Sequence, residues 1–115
     1  MNSMRQYTNR KQTAKLIELG FERPKFEVET QLVSIHGKPI GTATIIGDYS
    51  IGELIEMLQT VKHSCLLIYN LGFDHRKVVF KKLKGRWEYK YRGIGDELID
   101  LLFDAILKLK EDGVI

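Results

Sequence analysis

Lys77-Val78-Val79-Phe80-Lys81-Lys82-Leu83-Lys84-Gly85-Arg86-Trp87-Glu88-Tyr89-Lys90-Tyr91-Arg92 is the stretch on which the fold turns. Its two halves, Lys77 to Leu83 and Arg86 to Arg92, flank Lys84-Gly85, a two-residue hairpin turn between strands. With that turn, Leu83 faces Arg86, Lys82 faces Trp87, Lys81 faces Glu88 and Phe80 faces Tyr89. Residues paired in this way project to the same side of a sheet. One side then carries Val78, Phe80, Lys82, Trp87, Tyr89 and Tyr91. The other carries Val79, Lys81, Leu83, Arg86, Glu88, Lys90 and Arg92. The aromatic side is expected to be core, with Lys82 reaching over Trp87 at its margin. The opposite side reads first as a solvated charged surface; it could hold phosphates but offers no platform for stacking bases.

Downstream, Gly93-Ile94-Gly95 leads into a helix to about Asp112, with an apolar face of Leu98, Leu101, Leu102, Ala105, Ile106 and Leu109. Asp96 and Glu97 lie at the positive end of its dipole, Lys108 and Lys110 at the negative end. Gly113 and Val114 form a stop signal in which Val114 reaches back to Leu109. Ile99, Phe103 and Leu107 make this helix apolar on a second side. That implies either a central position or a protein-contact face, including a homodimer through this last helix.

Upstream, Cys65 to Asn70 is short and continuously apolar, as in a central strand, and Cys65 is expected to be a buried, inert thiol. Ser50-Ile51-Gly52-Glu53 is a capping box. It opens a helix with Ile51, Leu54, Ile55, Leu58 and Val61 on one stripe, fading near His63. Farther back, Phe26, Val28, Thr30 and Leu32 alternate with charged and polar residues, a half-buried strand. His36-Gly37-Lys38-Pro39 is turn chemistry, and Ile40 to Ile46 returns as a second strand. The first helix runs from Asn9 to Leu19, with Asn9 and Gln12 at capping-box spacing. Gly20 and Phe21 supply a Schellman stop, Phe21 folding back on Leu16. The order is therefore α-β-β-α-β-β-β-α: an α+β fold, with a mostly antiparallel sheet of about five strands and two or three packing helices.

The chain has 115 residues, 43% of them apolar, which supports one domain with one core. No apolar run approaches the roughly 20 residues that span a bilayer, and residues 1–6 lack the apolar stretch of a secretory signal. Met4 is as good a start as Met1. A single cysteine makes no internal disulfide, so the expected location is cytoplasmic. The net charge is +3, unevenly spread. Residues 76–92 hold eight bases against Glu88 alone, whereas Asp96, Glu97, Asp100, Asp104, Glu111 and Asp112 follow.

Metal-like pairs occur at His63-Ser64-Cys65 and Asp74-His75, neither within a four-ligand spacing. Asp96, Asp100 and Asp104 read as a solvated helix stripe. Gly93-Ile94-Gly95 is too short to cradle phosphate, and no Ser or Cys has a nucleophile motif around it. No enzyme, metal or cofactor is expected.

From Ser50 onward the order α-β-β-β-α resembles a double-stranded-RNA-binding domain. That family grips phosphates with a lysine-rich start to its final helix. Asp96 and Glu97 stand at that place here, so the resemblance implies architecture alone. A second resemblance rests on Leu16-Ile17-Glu18-Leu19-Gly20-Phe21 with Pro24, on Tyr49-Ser50-Ile51-Gly52-Glu53-Leu54-Ile55-Glu56-Met57-Leu58, on Glu97-Leu98-Ile99-Asp100 and on Lys108 to Ile115. These stretches, about half the chain, resemble a group of small uncharacterised proteins of gut bacteria, often encoded in prophage or mobile-element regions. The group has a proline just after the middle helix's leucine. Gln59 stands there instead, so a longer helix is expected. The resemblance implies an accessory gene in a bacterial cytoplasm and no activity. The leading expectation is a non-enzymatic accessory protein that binds an unknown protein partner through Ile99, Phe103 and Leu107. The alternative is weak electrostatic nucleic-acid binding by the basic hairpin 76–92, through Lys81, Arg86, Lys90 and Arg92.

Overall fold

The computed structural model describes residues 5–72 and 75–115, with the side chains of residues 27–30, 44, 45 and 84 left aside. In chain order the elements are α1 (Arg10–Glu18), β1 (Glu27–Val33), β2 (Pro39–Ile46), α2 (Ile51–Gln59), β3 (Ser64–Gly72), β4 (His75–Lys84), β5 (Trp87–Gly95) and α3 (Leu98–Glu111). All five strands pair antiparallel, as the α+β reading requires, but in two sheets instead of one, β1-β2 and β3-β4-β5. The chain divides into two compact units, residues 9–49 and residues 50–115 with the N-terminal segment up to Thr8.

In the unit of residues 9–49, α1 has the predicted box. Gln12 N donates to Asn9 Oδ1 at 2.8 Å and Asn9 N to Gln12 Oε1 at 3.0 Å. At its other end Gly20 takes φ 94°. Phe21 N then bonds Leu16 O at 3.2 Å and Gly20 N bonds Ile17 O at 3.0 Å, the two bonds of a Schellman stop. The buried Thr13 hydroxyl lies 2.6 Å from Asp48 Oδ1, and Arg10 donates to Ile46 O at 2.7 Å. The buried Tyr49 donates its hydroxyl to Glu22 O. Leu16, Pro24 and Tyr49 are the closed centre of this unit. The hairpin β1-β2 departs from the half-buried strand expected of it: Phe26 is 61% and Leu32 44% exposed. Val28 and Thr30 lie outside the described side chains.

In the other unit, Ser50 caps α2 as predicted, accepting from Glu53 N at 3.1 Å while its own N–H donates to Glu53 Oε1. The helix stops at Gln59, short of His63 and shorter than the missing proline led one to expect. Thr60 Oγ1 donates back to Met57 O at 2.7 Å, and His63 takes φ 58°, which turns the chain into β3. Residues before α2 join this unit as well. Ile51 N bonds Gln6 O at 3.0 Å, Arg5 N donates to Glu97 Oε2 at 3.1 Å, and the Arg5 guanidinium pairs with Asp100 at 3.2 Å.

Helix α3 packs against α2, β4 and β5. Ile99 is 0% and Phe103 8% exposed, so the second apolar side of α3 reflects a central position, and the proposed contact face reduces to the half-buried Leu107. The predicted stop holds: Gly113 has φ 72° and Val114 N bonds Leu109 O at 2.8 Å. Close approach of α3 to the sheet rests on glycine, since a Cβ built on Gly95 would lie 3.2 Å from Leu101 Cδ2. Gly95→Ala should be near neutral, because Leu101 can yield a few tenths of an ångström and the unfolded chain loses entropy. Gly95→Val should cost about 1–3 kcal/mol by overpacking against buried Leu101, measured as a lower urea midpoint.

Asp104, on the exposed side of α3, has its carboxyl pKa raised, first by partial burial and second by the negative charge of Asp100 one turn away. A carboxyl pKa raised on folding means the charged form disfavours the native state. The opposition is absent below the unfolded pKa of about 4 and sets in as pH climbs through the folded value. Asp104→Asn should therefore raise the melting temperature at pH 7, and the gain should disappear below about pH 4.

Candidate nucleic-acid interface

The hairpin turn sits one residue farther along than expected, which slips the pairing of the two strands by two. Lys84 pairs with Trp87, leaving Gly85 and Arg86 at the tip, with Gly85 at φ 59° in the first turn position, where glycine suits a primed turn. A slip of two keeps every paired side chain on its expected side, because side chains alternate with period two, and only Arg86 leaves its side for the turn. On the inner side Val78 and Phe80 are fully buried, with α3 packed against their strand. Tyr89 donates to Asp112 Oδ2 at 2.6 Å, at the end of α3, and burial together with this carboxylate pushes its pKa up. Trp87, one step farther along the same side, passes beyond the helix and is 81% exposed, contrary to its expected place in the core.

The outer side is organised as rungs across three strands. Tyr69 pairs with Lys77 and Lys77 with Ile94. Leu67 pairs with Val79 and Val79 with Arg92. Cys65 pairs with Lys81 and Lys81 with Lys90. Rungs on one side are about 6.8 Å apart and neighbouring strands about 4.8 Å. Lys77, Lys81, Lys90 and Arg92 thus share one surface, on which Glu88, opposite Leu83, is the acid. Lys90 and Arg92 are exposed, and Lys77 and Lys81, on either side of the 4%-exposed Val79 along β4, are half-buried. Arg86 is exposed at the turn and lies off these rungs.

Contrary to the expected absence of a stacking platform, pairing of β3 with β4 brings Tyr69 onto this surface. It is 42% exposed on this surface, with Lys77 Nζ 5.5 Å from its ring centroid. Strand β3 supplies it from the edge of the sheet, so the apolar run around Cys65 is not a central strand; β4 is. For the same reason Cys65 is exposed rather than buried. A shallow depression of about 240 Å³ beside it is lined by His63, Cys65, Lys81, Lys82, Leu83 and Glu88, among others.

Among the described residues no three His, Cys, Asp or Glu side chains gather as a metal site would require. Asp74, of the pair Asp74-His75, lies outside the described residues. No helix there is long and apolar enough to cross a membrane. Compared with known proteins, the chain matches no family model, no curated sequence and no solved structure.

Proposed function

We propose that this protein is a non-enzymatic binding protein that takes single-stranded nucleic acid on the outer surface of β3-β4-β5. The observation that carries this reading is the meeting of Lys77, Lys81, Lys90 and Arg92 with an exposed Tyr69 on one sheet surface. Cations neutralise phosphates and release counterions, and an aromatic face stacks an unpaired base whatever its identity. A single strand fits better than a duplex, whose bases are already stacked. The duplex-gripping alternative at the start of α3 meets Asp96 and Glu97 instead of lysines, and Glu97 and Asp100 are engaged by Arg5. In line with the resemblance to prophage and mobile-element proteins, the role would be that of a small accessory factor. The test is titration of labelled single-stranded and duplex DNA and RNA with the wild type and with Lys81→Glu/Lys90→Glu/Arg92→Glu. Saturable single-strand binding lost in the triple variant is the expected result. Equal binding by both proteins, or none by the wild type near physiological salt, refutes the reading.

A protein partner is the second reading, and one observation favours it: Val33, Ile35 and Ile40 of the first hairpin are 59%, 95% and 66% exposed. A bound protein would bury them, and loss of capture in an Ile35→Asp/Ile40→Asp variant would mark that surface.

A further inference from the structure

We infer that two copies of this chain pair through the outer edge of β3, antiparallel about a two-fold axis, joining two three-stranded sheets into one of six strands. The inference goes beyond the nucleic-acid reading and does not depend on it. Strand β3 is nine residues long, Ser-Cys-Leu-Leu-Ile-Tyr-Asn-Leu-Gly, without a charge or a proline. It lies at the sheet's edge, where β4 is its partner and its other side pairs with no strand among the described residues. Ile68, Tyr69 and Leu71 are 40%, 42% and 53% exposed along it. An edge of this kind is a template for another strand, and proteins ordinarily blunt such edges with charged residues, prolines or bulges. The opposite edge of the same sheet is blunted in this way, since β5 carries Glu88, Lys90 and Arg92.

The difference between the edges also selects the occupant. Pairing β5 with its own copy would set Lys90 and Arg92 near like charges, which is destabilising. Pairing β3 with β5 would be head-to-tail and open-ended. Pairing β3 with β3 closes at two copies and sets no charge against another. The nearest cations, Lys77 and Lys81, lie one strand inward. Across the seam the two β4 strands stand three spacings apart, about 14 Å. That exceeds the screening length of about 8 Å at physiological salt.

The register follows from the bulge. Pairing of β3 with β4 shifts between Asn70 and Gly72, so the regular run is Ser64 to Asn70. Full overlap of that run puts the two-fold at Leu67, with Leu66 opposite Ile68 and Cys65 opposite Tyr69 of the second copy. The axis of an antiparallel pair is perpendicular to the sheet, so both outer surfaces face the same way.

The experiment is the mass of the full chain by light scattering and sedimentation across a wide concentration range, without nucleic acid. The wild type should rise from 13.3 kDa to twice that mass with concentration. Ile68→Lys should stay at the single-chain mass throughout, while Ile94→Lys, on the charged edge, should dimerise as the wild type does. Circular dichroism checks that each variant is folded, and Tyr69→Lys replaces Ile68→Lys if that variant is not. Amide exchange adds a second readout, since outward-pointing amides of β3 should gain protection as the dimer fills. A wild type that stays at the single-chain mass, an undiminished dimer in the β3 variant, or loss of the dimer in Ile94→Lys overturns the inference.

Discussion

Phe80→Ala is expected to remove about 3–5 kcal/mol of stability, the usual cost of truncating a closed-in phenylalanine to a methyl group. Phe80 is 0% exposed at the middle of the central strand, paired with Leu66 on one side and Tyr91 on the other, on the sheet side against which α3 packs. A cavity there has no way to collapse, because neighbouring strands hold it laterally and the helix layer covers it. Domains of this size have about 5–15 kcal/mol in total, so the variant should be near the edge of folding. At roughly 4 °C per kcal/mol, its melting temperature should fall by about 12–20 °C. Trp87→Ala is the informative comparison. On composition alone the lone tryptophan is the larger core residue, yet at 81% exposed it has little burial to lose. Its change in denaturant midpoint should be small beside that of Phe80→Ala. The reverse order would mean that the hairpin packs in another register.

Those two residues show what was legible in the sequence. Local chemistry was legible: both capping boxes, both Schellman stops and the alternation along β4 and β5 depend on residues within a few positions of each other. Side assignment survived even an incorrect turn, because a slip of two residues leaves every paired side chain facing the same way. Illegible were quantities set by distant partners. Trp87 belongs to the core side by alternation, and what exposes it is the length of α3, which ends where Tyr89 meets Asp112. Cys65 to Asn70 is as apolar as a central strand, and its edge position follows from which strands fail to reach it. Ile99 and Phe103 carried the same ambiguity. A helix apolar on two sides is either central or unpartnered, and only the packing of α2 and the sheet against α3 resolves it. The candidate surface was half-legible for a related reason. Lys81, Lys90 and Arg92 follow from the hairpin, whereas Tyr69 joins them only through the register between β3 and β4.

The triple variant Lys81→Glu/Lys90→Glu/Arg92→Glu should lose single-strand binding altogether, and the salt dependence of the wild type says why. Each phosphate neutralised on a single strand contributes a slope of about −0.7 to the dependence of log affinity on log salt. With Lys77, Lys81, Lys90 and Arg92 engaged, the slope should be about −2.8, a weakening of about 50-fold between 50 and 200 mM salt. Reversing three of the four leaves one cation beside four acids, Glu88 included, so attraction becomes repulsion at every accessible rung. Arg86→Glu separates this surface from general basicity: the residue is equally exposed but sits at the turn, off the rungs, and its loss should be minor. Tyr69→Ala separates stacking from charge. It should weaken binding by about 1–3 kcal/mol with the salt slope unchanged, because no phosphate contact is removed. A steep slope that Tyr69→Ala does not accompany with weaker binding would leave a purely electrostatic surface. In that case Tyr69 would belong to the edge of β3 and the pairing of two copies, not to the nucleic acid.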